Sequence, residues 1–558
     1  MTLDPVDYAV ISQALIAAAR EMGVKLIRSA YSTVVREARD CSAGLLDRNG
    51  EVVAQAELIP QQLGPMSDVF RPCAELYPVE SLAEGDFYIS NDPFHGGQHL
   101  PDIYIFSPIF FEGRVVGFGA TTAHHLDLGG GSPGLNQGAS DVYQEGLRIP
   151  PSKYNLHRDW GAKGMFQRLV EANIRVPDQT IGDLNAQFAA NGTGAARVQE
   201  LCRKYGAAKV EQVMRHLQDY SERRVRAALK AIPDGTYVGE DFIDDDGVDL
   251  DTPLKVRATV TKRGEAIAID FAGTCAQVPR NLNSPYSSTI SAALSAVKVV
   301  ATSPDIPFNE GVKRAISISA PYGSLLNPKP PAPVRARMEA TFRVFNAVMK
   351  ALAQAVPQQV MATGFDTTTV GVLSLLGENG FKVYLEIFGG GYGASARRDG
   401  CDASDGPMSN CSNTPIEALD MEFDHFRVLE YGLVPESFGH GQFRGGLGFR
   451  RRVRILKDGV VFSTYSDRHK LAPQGLFGGH PGTTARFEVR RGNQTIPVKS
   501  KDSLTLKAGD ILTMQLGGGA GYGPPTARAR ELIERDIAEG LLSRETADRV
   551  YRLAQAAE

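Results

Sequence analysis

Apolar residues recur at helical spacing just after Asp4-Pro5: Val10, Ile11, Leu15, Ala18, Met22 and Leu26. That period predicts a core-facing helix, with Asp4 as its cap and Pro5 at the first helical position. Asp47-Arg48-Asn49-Gly50 reads as a hairpin turn between two short apolar strands. A helix is predicted over residues 67–76 and a short strand over 85–90. Residues 103–111 are almost continuously apolar, and residues 114–122 also suit a strand, with Glu112-Gly113 as a tight turn between them. The pair reads as a second β-hairpin. Residues 161–232 are predicted helical, followed by strands over 236–242, 254–262 and 266–271. Helices are predicted over 289–301 and 338–355, with proline-punctuated irregular chain between them. From residue 370 strands alternate with glycine clusters, such as Gly389-Gly390-Gly391 and Gly517-Gly518-Gly519. These clusters are read as turns of twisted sheets. Two helices, over 526–539 and 543–556, close the chain with a break at Gly540.

The pattern amounts to a mixed α/β (α+β) protein of several domains. The expected divisions are an α/β region over 1–160, a helical segment over 161–232 and an α/β region over 233–365. A β-rich, glycine-turn region over 366–525 and a helical tail over 526–558 follow. A chain of 558 residues is too long for a single core. Apolar content of 42% and charged content of 22% are ordinary for a globular protein, and the net charge of −4 with no basic tract argues against nucleic acid. The first residues lack the basic start and apolar core of a signal peptide, and no apolar run is long enough to span a bilayer. The six cysteines are scattered without a CxxC pair, as expected of reduced thiols in a cytoplasmic protein.

The chemistry concentrates between Asn91 and Gly131. Four of the ten histidines fall there: His95, His99, His124 and His125. If the second hairpin pairs Phe111 with Arg114, Asp102 lies opposite Ala123; a loop one residue longer puts it across from His124. In either register His99, Asp102 and His124 converge at the hairpin's open end. Two imidazoles and a carboxylate form a ligand set for Zn²⁺, Mn²⁺ or Fe²⁺. Asp40, at the start of a predicted strand, reads on its own as a solvated turn residue. A long glycine-rich loop, residues 129–138, follows the histidines and has the character of a functional loop. No glycine cluster matches GxGxxG or GxxxxGK[ST], so neither common nucleotide loop is present.

Several motifs in order carry a resemblance over nearly the whole chain. They are Arg39-Asp40-Cys41-Ser42, Asn91-Asp92-Pro93 with Gly96-Gly97, His99 and Asp102, then His124 with Asp127-Leu128-Gly129-Gly130. Further along come Gln144 to Pro151, Gly182-Asp183-Leu184, Asp270 to Thr274, Asn309-Glu310-Gly311, Arg444 to Gly448 and Gly518 to Gly523. The sequence resembles the hydantoinase B component of the ATP-dependent hydantoinase / 5-oxoprolinase family, which also includes components of acetone and acetophenone carboxylases and bacterial lactamases. The resemblance implies one divalent metal, Zn²⁺ or Mn²⁺, held by Asp40, His99, Asp102 and His124. It leaves Asp127, His125 and His95 as outer partners, and Asp127 and Glu145 as candidate bases. One departure is Gln62, where family members often carry histidine.

The resemblance also implies a larger hydantoinase A-type ATPase subunit in an A₂B₂ heterotetramer. That partner would carry ATP with Mg²⁺, and bicarbonate where the activation uses it. The implied reaction is opening of a cyclic amide (a lactam, hydantoin or 5-oxoproline ring), in which metal-activated water attacks substrate phosphorylated by the partner. The alternatives are ketone carboxylation and a non-catalytic scaffold of the ATPase subunit.

Overall fold

The computed structural model describes residues 4–553. It is a mixed α/β chain with terminal helices, as the periodicity predicts, and the described residues form four sheets. The helix predicted over 543–556 spans Arg544–Tyr551 and stops at Arg552, whose left-handed backbone (φ 56°) ends it; positions 554–556 of the prediction lie outside the described residues. Among the described residues no helix is long and apolar enough to cross a membrane. All six cysteines are free thiols.

The chain divides into two compact units. The first comprises the residues up to Thr236, then Thr259–Arg337 and Glu378–Val383; the second comprises Tyr237–Ala258, Met338–Gly377 and the chain from Tyr384 onward. The first unit is built on a six-stranded sheet of β1 (Cys41–Asp47), β2 (Val52–Gln55), β3 (Asp86–Ser90), β4 (Asp102–Phe111), β5 (Arg114–His124) and β6 (Ser152–Asn155). Its order is β2-β1-β5-β4-β3-β6.

Strand alternation assigns the two faces. Ala43, Leu45, Ile109 and Ala123 pack with helices Pro5–Ser29, Pro177–Tyr205 and Ala207–Lys230. Leu46, Tyr88, Tyr104, Phe106 and Phe118 pack with Val69 and Phe70 of helix Met66–Leu76. Phe70 makes edge-on ring contacts with Tyr88, Phe106 and Phe118 at centroid distances of 5.6, 5.5 and 4.7 Å. The Pro5–Ser29 helix starts as expected: the Asp4 side chain accepts from the Val6 N–H.

The second unit contains a five-stranded sheet and a glycine-rich layer. In chain order its strands are Phe426–Leu433, Phe449–Ile455, Arg486–Arg491, Gln494–Val498 and Ile511–Gln515. Phe449, Val453, Phe487, Val489 and Leu512 from them share a core with Phe365, Leu373 and Phe462. The glycine clusters differ from the turn reading. Here backbone lies directly against backbone: the Gly391 N–H donates to Gly517 O at 3.1 Å, Gly446 N–H to Tyr392 O at 2.8 Å and Gly519 N–H to Gly446 O at 2.9 Å. A Cβ on Gly519 would sit 1.9 Å from Tyr392 O, and one on Gly391 1.9 Å from Gly446 O. The residue type is demanded by close approach, because any side chain would push these segments apart.

Gly519→Ala is therefore expected to destabilise the chain by about 3 kcal/mol or more, since the atoms its Cβ would meet, Tyr392 O and C and Gly391 O, are all backbone. Gly432→Ala, where a Cβ meets nothing within 4 Å, should stay within about 0.5 kcal/mol of the parent. Thermal or urea melting of the two variants checks the contrast.

Candidate metal centre

The β4–β5 hairpin pairs Phe111 with Arg114 and also Asp102 with His124. Both hold because the register shifts by one residue between Ile109 and Phe110. The bulge adds a residue to one strand and brings the carboxylate directly across from the imidazole. Asp102, two residues before Tyr104, lies on the sheet face that carries the Phe70 cluster.

His99 is delivered by a loop that Asn91 organises. The Asn91 amide donates to Leu100 O at 2.7 Å and Leu147 O at 3.0 Å, while its Oδ1 accepts from the Ile149 N–H at 2.6 Å. Asp40 arrives from β1, whose Cys41 pairs with Ala123 of β5. The Asp40 carbonyl accepts the His124 N–H at 3.0 Å, fixing the two side by side.

Asp102 Oδ1 lies 3.1 Å from His99 Nε2 and 3.3 Å from His124 Nδ1, and Asp40 Oδ2 lies 3.5 Å from the same His124 nitrogen. Donors bound to one ion at about 2.1 Å are about 3.0–3.4 Å apart in octahedral or tetrahedral arrangement. The spacing of Asp102 from His99 and from His124 therefore fits a divalent cation, while Asp40 lies just outside that range. His99 is 2%, Asp102 0% and His124 7% exposed. His99 Nε2 and Asp102 Oδ1, though close, make no hydrogen bond of proper geometry with each other or with any other group. Buried polar atoms without partners are costly, and a shared cation would satisfy both. His99, Asp102 and His124 together form a group able to hold a metal.

The electrostatics agree. Burial, reinforced by the Arg337 charge, holds His99 well below the ordinary imidazole value, and burial brings His124 down to about 4. Burial alone would raise the Asp102 pKa, but the two imidazoles facing it and the Arg337 guanidinium overcome this and keep the carboxyl ionised. Neutral imidazoles beside an ionised carboxylate are the protonation states that ligation needs.

The other expected residues lie elsewhere in the surroundings. Asp127 accepts from the Gly129, Gly134 and Arg175 backbone N–H groups and pairs with the Arg175 guanidinium at 3.0 Å. Glu145 accepts from the Val334 and Arg335 N–H groups, each at 2.9 Å, and burial pushes its carboxyl up to about 7. His125 points to the opposite sheet face, where Nε2 lies 3.0 Å from Gln187 Oε1. His95 is exposed and pairs with Asp92 at 3.1 Å. Gln62 donates to Asp40 Oδ1 at 2.9 Å, so the residue at this departure touches a candidate ligand.

Sequence reasoning missed Arg335 and Arg337. The Arg335 carbonyl lies 3.1 Å from His99 Nδ1, and the Arg337 guanidinium donates to Asp102 Oδ2 at 2.7 Å. The available signal was two arginines between a proline-rich stretch and a helix.

The hydantoinase B/oxoprolinase family model matches residues 4–525. The chain belongs to this family. It is 35% identical over 566 residues to a provisionally named D-/L-hydantoinase component, the hydantoinase B chain of Pseudomonas sp. (strain NS671), covering 98% of this chain and 94% of that one. It is 30% identical over 558 residues to the beta chain of the caprolactamase of Pseudomonas jessenii, covering 97% and 94% of the two. The crystal structure of the ATP-dependent caprolactamase from P. jessenii superposes with a TM-score of 0.90 at 29% identity, over 99% of this chain and 96% of that one. An acetone carboxylase chain shares the fold, with a TM-score of 0.86 at 19% identity over 98% of this chain and 79% of that one.

A pH dependence follows for this family member. The unfolded His124 ring takes a proton near 6.5 and the folded one only near 4. The unfolded state thus binds the proton first, and stability present above 6.5 is lost as pH falls toward 4. The loss from this group is up to about 3 kcal/mol. Denaturant titrations of the metal-stripped chain between pH 7 and 4 measure it, and His124→Gln should flatten the dependence.

Proposed function

We propose that this chain is the hydrolytic subunit of an ATP-dependent cyclic amidase acting on a lactam, hydantoin or oxoproline ring. One observation carries the reading: a buried His99–Asp102–His124 donor set, with Asp40 beside it, in a chain related over 97% of its length to the beta chain of a caprolactamase. The partner is a larger ATPase subunit that binds ATP with Mg²⁺ and, where the activation requires it, bicarbonate. The absence of either nucleotide-loop motif from this sequence supports placing ATP there. Two copies of each subunit, A₂B₂, and a cytoplasmic location complete the reading.

An unstrained amide is a poor electrophile. Phosphorylation of its oxygen on the partner opens the ring carbon to attack. Once water has added, the C–N bond breaks, the nitrogen leaves with a proton, and a second water hydrolyses the resulting acyl phosphate to the carboxylate and phosphate. Asp40, His99, Asp102 and His124 would hold the Zn²⁺ or Mn²⁺, which supplies Lewis acidity and makes water nucleophilic near neutral pH. Burial keeps both imidazoles neutral, so their nitrogens serve as donors. The Asp127 contacts pin the loop after β5, and the Glu145 contacts pin the 334–335 backbone. Both carboxylates are engaged in holding chain in place, which favours positioning over proton transfer for each.

The test is the co-purified complex with ATP and a panel of lactams and hydantoins, assayed for ring-opened product. His99→Ala and Asp102→Asn are expected to lower kcat by about 10³-fold or more while the partner still cleaves ATP. Full activity of His124→Ala after metal loss would identify a scaffold instead, and label from bicarbonate in the product's carbon skeleton would identify a carboxylase. Glu145→Gln keeps an oxygen for both backbone N–H groups and should retain activity within about threefold; loss of turnover in a variant of unchanged stability would restore Glu145 as a base.

A further inference from the structure

One buried cation has no role in this reading. Arg337 is 4% exposed and sends its guanidinium into the donor set. NH2 donates to Asp102 Oδ2 at 2.7 Å, NH1 lies 2.7 Å from His99 Nδ1, and Nε has no partner. An arginine only donates, so the NH1 contact requires a bare Nδ1 and places the proton of the neutral ring on Nε2. Nε2 is the nitrogen that faces Asp102 Oδ1, and a protonated nitrogen cannot ligate a metal. Nδ1 also lies 3.1 Å from the Arg335 carbonyl, which only accepts. The contacts to Arg335 and Arg337 are therefore mutually exclusive, and each belongs to one tautomer.

We propose that Arg337 is a positioning residue that acts as the site's own counter-ion without metal and releases His99 when a cation enters. The proposal rests on reading His99, Asp102 and His124 as ligands. With Nε2 committed to the cation, the ring proton resides on Nδ1 and is donated to the Arg335 carbonyl. The ring stays neutral, so no net proton is gained or lost. NH1 is displaced from Nδ1 while NH2 keeps its bond to Asp102 Oδ2. The freed NH1 and the unpartnered Nε then offer two N–H donors beside the cation, suited to an anionic oxygen such as that of a phosphorylated amide.

The test uses the full chain as wild type, Arg337→Met and Arg337→Lys. Zn²⁺ affinity is measured by competition with a chromophoric chelator, and the His99 ring proton is located by ¹⁵N-histidine spectroscopy with and without Zn²⁺. Removing the guanidinium strips the metal-free site of its counter-ion and the loaded site of a repulsion between like charges. Both effects have the same sign. Arg337→Met is therefore expected to bind Zn²⁺ at least tenfold more tightly, and Arg337→Lys to stay within threefold of wild type. In wild type the His99 proton should move from Nε2 to Nδ1 on loading. Unchanged or weaker binding by a folded Arg337→Met chain overturns the proposal, as an organising role alone would weaken it. A proton already on Nδ1 in metal-free wild type overturns it too, whatever the variants do. Failure of wild type to bind Zn²⁺ at all overturns the ligand reading beneath it, and is distinguished from these by the wild-type titration alone.

Discussion

The compensation of Asp102 is the interaction on which the site depends. A carboxylate with no exposed surface needs partners on both oxygens. Oδ2 has the Arg337 guanidinium, and Oδ1 faces the nitrogens of His99 and His124. None of this works in another register. A slip of one residue between β4 and β5 would send either Asp102 or His124 to the opposite face of the sheet, among the helices. The bulge at Ile109 and Phe110 is thus as much part of the centre as the side chains it aligns. The same alternation separates two neighbouring histidines: His124 joins the carboxylates, and His125 meets Gln187 of helix Pro177–Tyr205.

The surroundings are rigidified mainly by carboxylates and amides bonded to backbone. Asn91 ties the loop before His99 to residues 147 and 149. Glu145 reaches across to residues 334 and 335, and Asp183 accepts the Tyr31 and Ser32 N–H groups at 2.7 and 3.1 Å, anchoring the chain that leads to Asp40. These residues fall within motifs that carry the family resemblance, and their work here is to fix loops. Motif membership therefore did not separate the residues that line the donor set from those that hold its walls.

Periodicity made much of the fold legible. The hairpin, its turn and the convergence of His99, Asp102 and His124 follow from apolar runs whose length and composition admit little else. The exact register did not, because residues 103–111 are apolar almost without interruption and a buried pair of strands gives no alternation to mark a bulge. Asp40 could not be placed by spacing, since its approach depends on the β1–β5 pairing of residues some 80 positions apart. Arg335 and Arg337 were hidden for the same reason: their contacts to His99 span 236 and 238 residues. The glycine clusters were legible as glycine but not as a packed layer, because turns and close backbone approach select the same residue.

The distance in sequence between Asp102 and Arg337, 235 residues, has a consequence for biosynthesis. The hairpin and both histidines leave the ribosome early, within the first quarter of the chain. The guanidinium that neutralises Asp102 emerges only after more than half has been made. Until then the carboxylate lacks its arginine and cannot be sealed away from water without a large desolvation cost. The nascent site must stay hydrated during this interval, a window in which a free cation could reach the ligands before the protein's own arginine does.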